Sequence, residues 1–371
     1  MEKPRRNLLH LLLSPLVILL ASLFNGMAAE PASTPWQLER GRFPPESSAL
    51  YLAGELILVD HVNRTGQLRP DRRSDQRTDD YDRALSFTML PYGTLRYHGA
   101  PAELRDIPIG THLHGQFYFD AKGMPVKGGS GLALLLEDDF SFHQRRQRAW
   151  RLDTVNLDKG QISVTGLPPA DNQAGEKPTV FKVNPATRVW KDRGFGALSD
   201  LAPGQNILFN ITAATLKGPG LVTDIWLDDE SRRLAAARQN ECHRAYQKSH
   251  GLPGWIDAVD NGEAVITVTL FGGFDPGLKE DFKPRTRVAV LVAEESLRTY
   301  DQLNDRMYGE LLESKACPAV PGGGGLQVVI KVENLLEGFR PRRIVRVLAE
   351  AWPLDDNPWE ENLYPGDNRV K

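Results

Sequence analysis

Two histidines separated by one residue carry the most chemistry in this chain of 371 residues. They are His112 and His114, in Thr111-His112-Leu113-His114-Gly115-Gln116-Phe117. On a β-strand, residues i and i+2 project from one face. Both imidazoles can then reach a single divalent metal ion such as zinc or copper, while Leu113 and Phe117 turn to the core. Two ligands fall short of the three or four of a stable site, and His98 or His143 are the candidates for another. The alternative is a pair of solvent-exposed strand histidines. Two acidic runs, Glu137-Asp138-Asp139 and Asp228-Asp229-Glu230, offer oxygens for calcium or carboxylates for glycoside hydrolysis. Both runs stand just before helix-prone segments, where acidic side chains cap free N–H groups and suit the helix dipole. Capping is the role expected of them.

Arg145, Arg146, Arg148 and Arg151 surround Trp150. They offer a contact for an anionic polymer, a phospholipid or a partner protein, or else the solvated face of a linker. No Gly-x-Ser-x-Gly, His-Glu-x-x-His, Walker or dinucleotide motif occurs in the chain, so no catalytic residue and no cofactor-binding residue is assigned. Gly322–Gly325 lacks the Lys-Ser/Thr of a phosphate loop and reads as a linker. A formal net charge of −3 argues against a general nucleic-acid binder, which would be basic. Two cysteines, Cys242 and Cys317, either pair as one disulfide in an oxidising compartment or stand as two thiols.

The elements that must position these groups are mostly strands. Residues 1–28 read as a signal peptide: Lys3, Arg5 and Arg6, an apolar stretch from Leu8 to Phe24, then the small residues Gly26 to Ala29. No second apolar stretch of spanning length follows, so the expectation is an exported protein, periplasmic or secreted, with no membrane span in the mature chain. Plentiful Gly and Pro with few helical runs favour an all-β class. The pattern apolar-Asp-x-Val recurs at Val59–Val62, Leu152–Val155 and Ile256–Val259, about 100 residues apart each time, a domain-sized period. Alternating runs follow at Gln161–Thr165 and Val265–Thr269, as half-buried strands do. The turn Leu104-x-Asp106-Ile107-x-x-Gly110 matches Leu198-x-Asp200-Leu201-x-x-Gly204 and precedes strands at His112–Phe119 and Gln205–Thr212. The third module departs here: Leu297, Tyr300, Leu303, Met307, Leu311 and Leu312 recur at helical spacing, predicting a helix over Glu294–Glu313. Its strand then falls at Leu326–Val332. Closing strands are expected at Leu132–Leu136, Val222–Leu227 and Ile344–Leu348, with helical linkers at Ser141–Arg148 and Ser231–Ser249.

The order of landmarks in the second module is Asp153-Thr154-Val155, Ile162-Ser163-Val164, Phe181, Thr187 and Leu198-x-Asp200-Leu201-x-x-Gly204. It resembles uncharacterised small β-barrel domains, OB-like or SH3-like, of exported bacterial proteins. The resemblance covers roughly residues 150–230, extends weakly to the other modules and implies fold rather than activity. His112-x-His114-Gly115 also resembles one ligand segment of multicopper oxidases, whose other segments are absent. The expected architecture is all-β: three tandem small barrel-like modules joined by short helices. After the signal peptide come a linker (29–48), module 1 (49–140), module 2 (141–230), a helical linker (231–250), module 3 with a helical insertion (251–352) and an extended tail (353–371). The expected role is an exported non-enzymatic binding or scaffold protein whose partner is a protein or a cell-surface polymer. The alternative is a metal-dependent or hydrolytic enzyme using His112 and His114 or the strand-end carboxylates.

Overall fold

Three β-hairpins of identical register organise the chain. The computed structural model describes residues 38–45, 49–71, 84–119, 131–167, 177–212, 220–293 and 306–353. Strand β1 (Leu50–Asp60) pairs with β2 (Thr65–Pro70), β7 (Ala149–Asn156) with β8 (Gln161–Leu167), and β14 (Leu252–Asp260) with β15 (Val265–Phe271). Each first strand carries one extra residue out of register: Ile57, Asp153 and Asp257. Such a bulge bends its strand and raises the local twist, as the closing of a small barrel demands. The residue before each bulge is fully buried: Leu56, Leu152 or Ile256. Asp60, Asn156 and Asp260 then close the hairpin turns by accepting backbone N–H groups from Asn63, Lys159 and Gly262. The counterparts of Asp60 are therefore Asn156 and Asp260, not the Asp153 and Asp257 with which the sequence motif aligns it. Asp153 and Asp257 instead accept the hydroxyls of Thr165 and Thr269 on the neighbouring strand, at 2.7 and 2.6 Å.

A second device recurs. Leu104–Asp106 and Leu198–Asp200 form single 3-10 turns. Gly110 and Gly204 follow at φ of 94° and 92°, and each donates its N–H to the carbonyl of Leu56 or Leu152 at 2.7 Å. In the third module the same places are taken by Leu336, Phe339 and Arg342. Phe339 N–H bonds the Leu336 carbonyl, and Arg342, at φ 71°, donates to Ile256. Strands β5 (His112–Tyr118), β12 (Asn206–Ile211) and β19 (Ile344–Ala349) come next, each pairing with the first strand of its own module. β19 is thus the counterpart of β5 and β12, not the closing strand that the sequence order suggests.

The modules close differently. The first is a closed barrel, β1-β2-β3-β6-β5, in which β3 (Leu85–Tyr97) and β6 (Gly131–Asp138) run parallel and the short β4 (Ala100–Ala102) is added to β3. The second is a seven-stranded sheet in the order β11-β10-β13-β12-β7-β8-β9, formed with β9 (Thr179–Lys182), β10 (Arg188–Lys191), β11 (Gly194–Gly196) and β13 (Val222–Trp226). A bridge from Lys182 to Leu221 links β9 toward β13. The third is a closed six-stranded barrel, β14-β15-β18-β17-β16-β19, with β16 (Arg287–Val292), β17 (Arg306–Ala316) and β18 (Gly323–Val332). Closure leaves no free strand edge to pair with another chain.

The expected helix over Glu294–Glu313 is corrected from Arg306 onward, where the chain is strand β17. Met307, Gly309 and Leu311 are buried and alternate with exposed Tyr308, Glu310 and Leu312. The period of two prevails over helical spacing because barrel closure buries only one face of this segment. Residues 294–305 lie outside the described residues, as do the signal peptide, most of the N-terminal linker, most of the inserts at Pro70–Arg83 and Pro168–Pro178, and the tail beyond Pro353. Two helices stand where helical linkers are expected: α1 (Asp139–Arg145) and α2 (Asp229–His250). Among the described residues no helix is long and apolar enough to cross a membrane. Cys242 and Cys317 are both free thiols, so the bridge between them is not formed.

Each module has its own apolar core, and two kinds of contact join them. Phe43, Tyr92, Trp255 and Phe271 form an aromatic cluster with Leu90, Tyr118, Leu134 and Ile344 between the two barrels. Helix α2 is a polar strut. His243 and Gln247 both donate to the carbonyl of Gly273 in the third module, and Gln239 donates to Pro101 and Asp106 in the first.

Candidate metal centre

Strand β5 alternates as its sequence dictates. Leu113 and Phe117 lie fully buried in the core of the first barrel, so His112 and His114 point outward. They are not exposed, however: His112 is 4% accessible. Helix α1 and strand β12 of the second module cover this outer face, which corrects the expectation of solvent-exposed strand histidines.

The covering element supplies a third candidate donor. Asp138 ends β6 and caps α1, its carboxylate accepting the N–H of Ser141 at 2.9 Å. Asp139, the next residue, turns its Oδ1 to both histidines. His112 Nδ1 lies 2.7 Å from it and His114 Nε2 3.0 Å. Asp139 Oδ2 accepts the backbone N–H of Ile211 on β12 at 3.0 Å. One donor atom from each of His112, His114 and Asp139 falls within 4.8 Å of the others, which meets the reach of one metal ion among the described residues.

The far side of each imidazole is also held. His112 Nε2 donates to Asp71 Oδ2 at 3.0 Å, and the Tyr51 hydroxyl bonds His114 Nδ1 at 2.6 Å. Fixing the outer ring nitrogen by a carboxylate or hydroxyl is how proteins orient metal-ligating histidines. His114 also stacks on Phe142 of α1, with centroids 3.7 Å apart.

The charges follow from this arrangement. Burial alone would lower the basicity of His112, but the Asp139 charge and hydrogen bonds to Asp139 and Asp71 overcome it and push the ring up to about 10. Burial would raise the Asp139 carboxyl, yet the two histidines hold it well below the usual carboxylate range. Burial, then the charges of Asp71 and Asp139, push Tyr51 up to about 12. With no metal bound, His112 and Asp139 form a buried ion pair. A metal would displace the protons facing Asp139 Oδ1, so uptake would release protons. Two imidazoles and one carboxylate are a donor set that suits zinc or copper(II).

The other candidates lie apart or are already used. His143 faces Trp150 and sits 6.1 Å from the His114 ring, centroid to centroid. Burial pushes it down to about 4. His98 sits against Tyr97 and Trp226, and its backbone N–H bonds Asp138. Glu137 is gripped by Arg145 through two bonds of 2.7 Å and by Arg146 at 3.3 Å. Asp228 caps α2 through Ser231. The two acidic runs therefore serve caps and ion pairs, except for Asp139. Arg146 stacks on Phe142, and Arg151 pairs with Asp153 at the surface, so the basic segment is partly engaged within the chain. Sequence reasoning offered Asp139 only to calcium or a helix cap and did not join it to the histidines, and it did not foresee Asp71 and Tyr51 as outer partners. The only local signal was the position of Asp139 beside a helix cap.

No protein-family model matches the chain, and no curated protein matches it. Among solved structures, the crystal structure of Ag(I)CusF is similar over 22% of this chain and 95% of its own, at 18% identity and a TM-score of 0.16. A likeness of that size bears on neither the fold nor the activity of the whole chain.

Proposed function

We propose that the protein is an exported, non-enzymatic binding protein whose first barrel holds a divalent transition-metal ion at His112, His114 and Asp139. The observation that carries this reading is the convergence of the three donor atoms within 4.8 Å, with each imidazole held from behind by Asp71 or Tyr51. The signal-like segment over residues 1–28 supports export. The shared hairpin register and turn geometry support descent of the three modules from one small barrel. The β1-β2-β3-β6-β5 order with a parallel β3–β6 pair favours an OB-like ancestor over an SH3-like one. A protein or cell-surface polymer remains the proposed larger partner.

A second reading has its own observation. Asp139 also bonds Ile211, and Glu55 of β1 accepts the Thr212 hydroxyl at 3.0 Å. The same cluster is then a polar tie between the first and second modules.

Thermal unfolding of purified residues 29–371 with zinc or copper(II) separates the two, since a ligand bound only by the folded state raises its melting temperature. The metal reading expects a rise that His114→Gln abolishes and that Tyr51→Phe weakens, with about a 10- to 100-fold loss of affinity. No metal-dependent rise in a well-folded wild type would overturn it in favour of the tie.

A further inference from the structure

A second concave site lies away from the histidine cluster, where α2 crosses the second sheet. It is a cavity of about 270 Å³, lined among others by His98, Trp190, Trp226, Arg193, Arg238 and Cys242. That volume lies near the lower end of small-molecule sites. Its polar groups are unevenly satisfied. The indole N–H of Trp190 is taken by Asp224 at 2.9 Å. Trp226 is only 1% exposed, and its indole N–H has no acceptor among the described residues. Nε2 of His98 is likewise buried without a partner, and its ring stands edge-on to Trp226, centroids 5.0 Å apart. Native structures rarely leave such groups unpaired, but both atoms lie behind the cavity wall, so a partner in the cavity is selected by the accessible wall.

The walls specify that partner further. The indole planes of Trp190 and Trp226 lie within 7° of parallel, with centroids 6.5 Å apart, and flat aromatic walls favour a flat guest. The charges among the lining residues are those of Arg193 and Arg238. Arg193 is 3.5 Å from Glu230, and Arg238 is exposed. Two guanidinium groups at the rim call for an anion.

We propose that this cavity binds a small aromatic carboxylate, its ring against the Trp190 and Trp226 walls and its carboxylate accepting from the rim arginines. The site is independent of the metal reading and shares no residue with it.

Cys242, an exposed thiol lining the cavity, reports occupancy, and Cys317, half-buried in the third module, is an internal control. The rate of maleimide alkylation at each thiol would be followed by mass spectrometry with benzoate or indole-3-carboxylate present. Acetate (an anion without a ring) and benzyl alcohol (a ring without charge) would serve as controls. The expected result is dose-dependent protection of Cys242 and not Cys317 by both aromatic acids. Trp190→Leu, which removes one flat aromatic wall, would shift the protecting concentration about tenfold upward. Arg238→Gln, at an exposed position that folding does not need, would shift it severalfold. Unchanged alkylation in the presence of the aromatic acids would overturn the proposal, as would equal protection by acetate or by benzyl alcohol. Equal protection in wild type and both variants would overturn the assigned contacts.

Discussion

Asp139 gathers three donors from two modules onto one carboxylate, and at the scale of single residues most of the junction depends on it. His112 and His114 of the first barrel share Oδ1, and Ile211 of the second sheet takes Oδ2. Removing its charge leaves His112 buried beside Asp71 alone, and unpairing one member of a buried ion pair costs about 3–5 kcal/mol. Asp139→Asn should lower the urea midpoint of unfolding by that equivalent, whichever functional reading holds. A stability within 1 kcal/mol of wild type, roughly what an exposed pair is worth, would show that the pair is not buried in solution. His98 titrates in the opposite sense to His112. Burial lowers its folded pKa, against the weaker opposing charges of Asp138 and Asp224. The unfolded chain then takes up the proton first. Stability from neutral His98 is complete above the ordinary histidine value and is lost as pH falls through its depressed folded value. From about pH 7 to about pH 5, the melting temperature of the wild type should drop more than that of His98→Gln. Parallel curves would contradict this. The histidine pair was legible in the sequence because strand periodicity places i and i+2 together. The third ligand was not. Asp138 does the capping that the acidic run suggests, and only the packing of α1 against β5 turns its neighbour inward.

At the scale of elements, the shared hairpin shows what local pattern encodes and what it hides. Alternation in Gln161–Thr165 and Val265–Thr269 was legible because one face of each strand is buried. The bulge was not legible: Ile57 stands where the other two modules have Asp153 and Asp257, and the apolar-Asp-x-Val motif therefore drew Asp60 into the wrong equivalence. The turn glycines are the readable part of the second device, and Arg342 in the same left-handed place conceals it in the third module. Gly204 isolates the backbone contribution, since a Cβ added there meets nothing within 4 Å. Gly204→Ala should destabilise by about 1–2 kcal/mol through its φ of 92° alone, with no change in the denaturant slope. A neutral effect would mean that the turn relaxes to negative φ. The helix expected over Glu294–Glu313, overturned from Arg306 onward, belongs to the same scale: Met307, Leu311 and Leu312 fit a helical face, but β17 is fixed by pairing with β16 and β18, contacts that no local window contains.

At the scale of the whole molecule, the third barrel is coupled to the first through two interfaces of different character, one apolar and one polar. The aromatic cluster between the barrels buries Trp255 at 2% exposure against Phe43, Tyr92 and Phe271, so its contribution comes from apolar area and ring packing. The strut α2 contributes hydrogen bonds from Gln239, His243 and Gln247, each worth about 0.5–1.5 kcal/mol net. Because Trp255 lies on the bulged strand β14 of the third barrel yet packs outside that barrel's core cluster, its truncation acts on coupling more than on either core. Trp255→Ala should cost about 3–5 kcal/mol. It should also split a single calorimetric transition into two, with the third barrel unfolding apart from the first. If the variant still melts in one transition with its calorimetric and van't Hoff enthalpies equal, the polar strut suffices to hold the barrels together. A metal at the His112 cluster would then be expected to raise the melting temperature of the whole chain rather than that of the first two modules alone.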